Sequence, residues 1–257
     1  MKKLAPFGFI TLIVVLFFWQ FPLKGFLPIP SDTIIGLYHP FRDLYAKDYP
    51  NGIPFKNFLI TDPVRQQYPW KELAIWSEKK LELPLWNPYG FSGTPLLANM
   101  QSGAFYPLNV LFFILPFGIA WSILIFLQPL LAGVFLCVYL RNLKINTWAS
   151  IIGSIVFAFS GFSMSWLEWG TIANTALWLP LILLSTDKIV SSTKNRKVFV
   201  WSLVYLFSMT SAFFAGHLQT FFYLFIFSSI YFFAKWVQVG WQKKILLRSY
   251  LSQVKIL

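Results

Sequence analysis

Side chains able to do chemistry crowd into one stretch of this chain. Residues 24–106 hold seven of the nine acidic residues, in three dense segments: Pro30-Ser31-Asp32-Thr33, residues 61–70, and residues 83–102. The middle segment carries Asp62, Arg65, Gln66 and Tyr68, with Lys71 just beyond it. The last carries Trp86, Asn87, Tyr89, Asn99 and Gln101 among Gly and Pro residues, which fix tight turns while presenting ring edges and amides. A rigid cap packed on neighbouring structure is the ordinary use of such a segment; a groove for a sugar or a lipid headgroup is the sharper one. Asp32 and Asp62 also have ordinary uses, the first capping a turn after Ser31, the second capping the helix that Pro63 can open. Glu168 and His217 are further candidates, each in a short connection, with solvation and a structural hydrogen bond as their plain roles.

The elements that must position these groups are membrane helices. Hydrophobic residues make up 57% of the chain, aromatic residues 20% and charged residues 12%, against about 25% charged in soluble domains. Several runs reach the roughly 20 apolar residues needed to cross a bilayer, and they are continuous rather than alternating, which selects helices over a barrel. The pattern predicts an all-α polytopic bundle in a single membrane domain, 1–257, with about six spans. The first is 4–23, an uncleaved helix after Lys2 and Lys3; an extracytoplasmic loop follows over 24–106. Five further helices lie within 107–236, near 119–140, 148–166, 171–189, 198–214 and 218–236, and a basic tail covers 237–257. Residues 108–115, between Pro107 and Pro116, are too short to cross and belong at the interface. Pro69 opens a surface helix to about Leu83, with Trp70, Leu73, Ala74, Ser77 and Leu81 along one face. Cys137 is the only cysteine, which excludes an intrachain disulfide and a cysteine-based metal site.

Charge sorts by side. With the N-terminus in the cytoplasm, thirteen basic residues and one acid, Asp187, fall inside, whereas the other side receives eight of each sign. This is the positive-inside signal, so the net charge of +12 reports topology in a cytoplasmic membrane and not nucleic-acid binding. The large loop therefore faces outward.

The run Leu-Pro-Leu-Trp-Asn-Pro-Tyr at 83–89, Gly93-Thr94-Pro95 through Ser102, and Phe105-Tyr106-Pro107-Leu108-Asn109 resemble the YfhO-like family of bacterial membrane proteins. Phe157 to Phe162, Trp178-Leu179-Pro180 and Ala215-Gly216-His217-Leu218-Gln219 match later landmarks of that family in the right order. The resemblance implies membership of the GT-C group of polytopic glycosyltransferases, which take a sugar from a polyprenyl-phosphate carrier on the outer face for a cell-envelope acceptor. It implies an inverting transfer in which Asp62 or Asp32 deprotonates an acceptor hydroxyl, with Arg65 or Lys71 stabilising the phosphate leaving group. Gln66, Tyr68, Trp86, Asn87, Tyr89, Asn99, Gln101, Glu168 and His217 are then expected around the substrates. It also implies a longer parent protein of which this chain is the N-terminal part.

No Walker loop, Gly-x-Gly-x-x-Gly or serine-nucleophile motif is present, and no His, Asp or Glu spacing forms a metal-ligand set; a divalent ion on the outer carboxylates is the one cofactor left open. The competing readings are a transporter or lipid flippase, which needs ionisable or broken-helix sites near the midplane, and a noncatalytic assembly subunit.

Overall fold

The computed structural model describes residues 5–53 and 60–254, with side chains described up to Gln242. The charged start at Lys2 and Lys3, Lys56 and Lys255 lie outside the described residues. The chain is a helical bundle; its only described strands form one short antiparallel ladder. Helices α1 (Ala5–Phe17) and α2 (Gln20–Lys24) lead into the polar segment, which holds the short helices α3 (Asp32–Leu37) and α4 (Phe41–Leu44). A π-helical turn, Pro63–Gln67, runs directly into α5 (Tyr68–Lys79). Strands β1 (Trp86–Asn87) and β2 (Thr94–Pro95) follow, and α6 (Val110–Ile114) ends the segment.

The remaining helices are α7 (Phe117–Asn142), α8 (Thr147–Ala158), α9 (Gly161–Ser165), α10 (Ile172–Ala176), α11 (Leu179–Ser191), α12 (Asn195–Phe214) and α13 (Leu218–Val254). Four stretches among the described residues are long and apolar enough to cross a membrane: Phe117–Asn142, Thr147–Ser165, Asn195–Phe214 and Leu218–Gln242. The two other expected spans fall on broken helices. The first is divided between α1 and α2, and 171–189 is divided between α10 and α11, where Pro180 opens the second piece at a position that needs no backbone donor. The expected boundary at 236 has no structural counterpart, because α13 runs on to Val254. At about 1.5 Å per residue it is roughly 55 Å long, well beyond the hydrocarbon thickness.

Helix α7 is the hub, flanked by α1, α8 and α11, and α11 in turn carries α12 and α13. Gly133 eases this packing: a Cβ there would stand 3.0 Å from Ile10 Cγ2, a tight contact, and 3.6 Å from Ala158 Cβ, an ordinary one, so the bare backbone gives α1 room against α7. Buried hydroxyls along the bundle satisfy themselves on their own helices, Ser154 donating to the Ser150 carbonyl at 2.6 Å and Ser208 to that of Val204 at 2.7 Å. Trp148, Ile152 and Val156 on α8, and Phe222, Phe225 and Phe233 on α13, are exposed. A bundle that turns such faces outward is built for a lipid surround.

Candidate functional site

Asp32 opens α3 and Asp62 precedes the π turn, and neither cap acts as its residue type suggests. Ser31 and Asp62 occupy the two N-cap positions without a side-chain capping bond. Asp32 instead lines a cavity of about 320 Å³ together with Ser31, Thr33 and Glu168. Ile60, two residues before Asp62, forms part of the same wall. A second cavity, of about 290 Å³, lies on the other side of Asp32, between Ile35, Tyr45 and Tyr49.

Glu168 is delivered from far along the chain by a 3-10 turn, Leu167–Trp169, ended by Gly170 in the left-handed conformation (φ 64°). The turn is pinned from α7, where the buried Gln128 donates from Nε2 to the Leu167 carbonyl at 3.1 Å. It also packs against the π turn that follows Asp62. The three candidate carboxylates Asp32, Asp62 and Glu168 are thus drawn to one region, with Asp32 and Glu168 on a common cavity. Among the described residues no three of His, Cys, Asp and Glu gather as a metal-ligand group.

Arg65 is exposed on the π turn, with its guanidinium carbon 5.5 Å from the centre of the Tyr38 ring, just past α3. Gln66 is half-buried beside it. Tyr68 packs its ring on Phe117 and Trp121, with centroids 4.8 and 5.2 Å away, and burial followed by the Glu72 charge raises its phenol pKa.

Lys71 is buried and spent within the protein. Its Nζ donates to the Gly103 carbonyl and to Asn109 Oδ1, both at 3.1 Å. Asn109 completes the knot by donating from Nδ2 to Gly103 and Ala104 carbonyls at 2.8 and 2.6 Å. Desolvation pulls the Lys71 pKa down to about 7, opposed by the charge of Glu78, two turns on; desolvation pushes Glu78 up to about 7. Next to the knot, Gln67 donates to Gln101 Oε1 at 3.0 Å, and Asn99 Oδ1 accepts the Ser102 N–H at 3.3 Å. These residues organise the 99–109 segment from inside.

The buried side of α5 is accordingly Lys71, Ala74, Ile75 and Ser77, which keeps Ala74 and Ser77 of the expected stripe and adds Lys71 and Ile75. Trp70 and Leu73 are half-buried against Ala74, Leu96 and Ala104, while Leu81 lies beyond the helix end in a left-handed conformation and is 97% exposed. The pattern rule assumes that a basic residue seeks water; here carbonyl and amide oxygens replace water around it.

His217 sits between α12 and α13. Its Nδ1 accepts the Thr220 N–H at 3.2 Å and lies 2.8 Å from the Thr220 hydroxyl, so it caps α13 as a neutral ring, in keeping with burial lowering its pKa. Just before it, Gly216 (φ 102°) lies so close to the 99–103 turn that a Cβ would meet the Met100 carbonyl at 2.7 Å. The polar segment is therefore seated directly on the α12–α13 connection.

Trp86, Asn87 and Tyr89 belong to the β1–β2 hairpin. Trp86 packs over Gly93, and Asn87, itself nearly buried, accepts the Tyr89 N–H at 3.0 Å. Between this hairpin and α5 is a cavity of about 690 Å³ lined by Arg65, Trp70, Glu72, Trp76, Asn87 and Tyr89 among others. A further, almost wholly apolar cavity of about 290 Å³ lies within the bundle, walled by Ala132, Phe157, Leu167 and Leu224, with Gln128 on its lining and the exposed Phe162, Tyr223 and Phe227 at its edge. The Oε1 of Gln128 has no hydrogen-bond partner among the described residues.

Apolar faces turned outward around a helical bundle, together with a seated polar segment, define a multi-pass helical membrane protein. The family model described as "Bacterial membrane protein YfhO" matches residues 99–255, and the chain belongs to that family. No curated protein and no solved structure matches.

The sequence singled out Asp32 and Asp62, as carboxylates able to share a site, and Glu168 by itself. It missed Gln67, Trp76, Asn109 and Gln128. Gln128 carried a signal, a lone amide beside Pro129 in an otherwise apolar run, which in a membrane helix needs a partner.

Proposed function

We propose that this chain is the sugar-transfer part of a GT-C type membrane glycosyltransferase, acting on the outer face of the cytoplasmic membrane with its N-terminus inside. The observation that carries the reading is the sharing of one cavity by Asp32 and Glu168, carboxylates brought together from distant parts of the chain. The donor is a sugar on a polyprenyl phosphate and the acceptor a hydroxyl of a cell-envelope polymer. Asp32 takes the proton of that hydroxyl as its oxygen bonds to the anomeric carbon; the bond from that carbon to the phosphate oxygen breaks, and lipid phosphate leaves with inversion. Arg65, exposed and with no carboxylate ion pair among the described residues, is the cation for the leaving phosphate, whereas Lys71 is occupied inside the fold.

The apolar cavity edged by Phe162, Tyr223 and Phe227 suits an isoprenoid chain entering from the lipid phase. The excess of basic residues on the side away from the polar segment supports the orientation. The test uses the full chain in proteoliposomes with a radiolabelled polyprenyl-phosphate sugar and a cell-envelope polymer fraction. Label passing into polymer supports the proposal; label remaining on lipid under all acceptor conditions rejects it.

A further inference from the structure

The largest cavity described above shares only Arg65 with the chemistry proposed at Asp32. Pro69, Glu72, Leu73 and Trp76 line one wall. They are spaced i, i+3, i+4 and i+7, so α5 presents them as a single stripe, turned away from the side that buries Lys71 and Ile75. The hairpin turn Asn87–Gly90 forms the other wall, and Arg65 closes one end. Trp76 is 50% exposed and Tyr89 80% exposed. Lys80 Nζ stands 3.5 Å from the centre of the Trp76 ring, over one of its faces. Asn87 has its oxygen engaged by the Tyr89 N–H, which holds the turn and leaves its amide NH₂ as a donor.

We infer that this groove binds a short stretch of neutral glycan, one or two pyranose rings, and holds the acceptor polymer during transfer. A pyranose has an apolar C–H face for aromatic rings and a rim of hydroxyls that both donate and accept. The groove offers both complements: rings from Trp76 and Tyr89, donors from Arg65 and Asn87, and an acceptor in Glu72. Among the lining residues one guanidinium is matched by one carboxylate, and the Lys80 ammonium is already engaged on the Trp76 ring, which favours an uncharged ligand. A hydrocarbon chain in the same place would bury all three polar groups without partners, a cost of a few kcal/mol each. At about 690 Å³ the space falls within the range of formed ligand sites.

The acceptor role rests on the transferase reading; glycan binding does not. The test is calorimetric titration of the full chain in lipid nanodiscs, without donor, using N-acetylchitohexaose and maltohexaose as probes. Saturable binding of at least one probe is expected. Trp76→Ala and Tyr89→Ala should each weaken it about five- to tenfold, the scale of one lost ring contact, and Trp76→Phe should stay within about threefold of the parent. Phe91→Ala, fully exposed outside the groove, should leave it unchanged. Absence of saturable binding by either probe, or binding indifferent to both ring removals, overturns the inference. Glycan binding in a chain that transfers no sugar would sink the transferase reading alone, and transfer without glycan binding would sink this one alone.

Discussion

Lys71 Nζ donates to Asn109 Oδ1 at 3.1 Å in the interior of the protein, joining α5 to the turn that leads into α6 and α7. The same nitrogen reaches the Gly103 carbonyl. One side chain thereby fastens the polar segment at both ends of the 103–109 stretch.

Replacing it with methionine keeps much of the apolar stem and removes the donor. Asn109 Oδ1 loses this donor, while the Gly103 carbonyl keeps the one from Asn109 Nδ2. Lys71→Met should destabilise the fold by about 1–3 kcal/mol, the cost of a stranded buried acceptor. A lowered Tm in detergent, with the membrane helices still formed by circular dichroism, is the expected result.

The Lys71 and Glu78 shifts fix a pH profile. Between about pH 4.5 and 7 the folded chain holds a proton on Glu78 that the unfolded chain releases, so stability falls as pH rises through this window. Between about pH 7 and 10.5 the unfolded chain holds a proton on Lys71 that the folded chain has lost, so stability rises again. Their joint contribution is lowest near neutrality. Thermal unfolding from pH 5 to 10 should show Glu78→Gln flattening the acid limb and Lys71→Met the alkaline limb.

Gly216 has the conformation and the closeness that only glycine allows. In Gly216→Ala, a φ of 102° and a Cβ 2.7 Å from the Met100 carbonyl oppose each other's relief, since the obstacle is backbone. The expected cost is about 1–3 kcal/mol. Limited proteolysis should show faster cleavage in 97–103 than in the parent.

Gln128 acts on Glu168 through the turn it holds. Gln128→Leu fits the apolar setting and removes the bond to the Leu167 carbonyl. Sugar transfer should fall by about ten- to a hundredfold, as expected when a reacting group loses its position, with Tm little changed. Equal activity would show that the turn keeps its place without this bond.

The spans were legible because long apolar runs in a membrane protein have few alternatives, and α7, α12 and α13 fall where hydropathy puts them. The far end of α13 was not, since Gln242, Lys243 and Lys244 read as a polar tail although such residues are good helix formers and extend a helix already begun. Asp32 and Glu168 were each visible as outer carboxylates. Their shared cavity was not, because it depends on how the Leu167–Trp169 turn seats against α7, a tertiary contact with no local pattern. The internal hydrogen bonds of Lys71, which the sequence offered as a candidate for the phosphate, were not legible for a related reason: its oxygen partners are distant in sequence.

The most direct test compares sugar transfer by Asp32→Asn, Glu168→Gln and Asp62→Asn variants of the full chain in proteoliposomes, each normalised to folded protein. Loss of the base should lower transfer by about 10²–10⁴-fold. The expected result is a loss of that size for Asp32→Asn, a smaller one for Glu168→Gln, and the least change for Asp62→Asn. Full turnover by Asp32→Asn would contradict the assignment of the catalytic cavity.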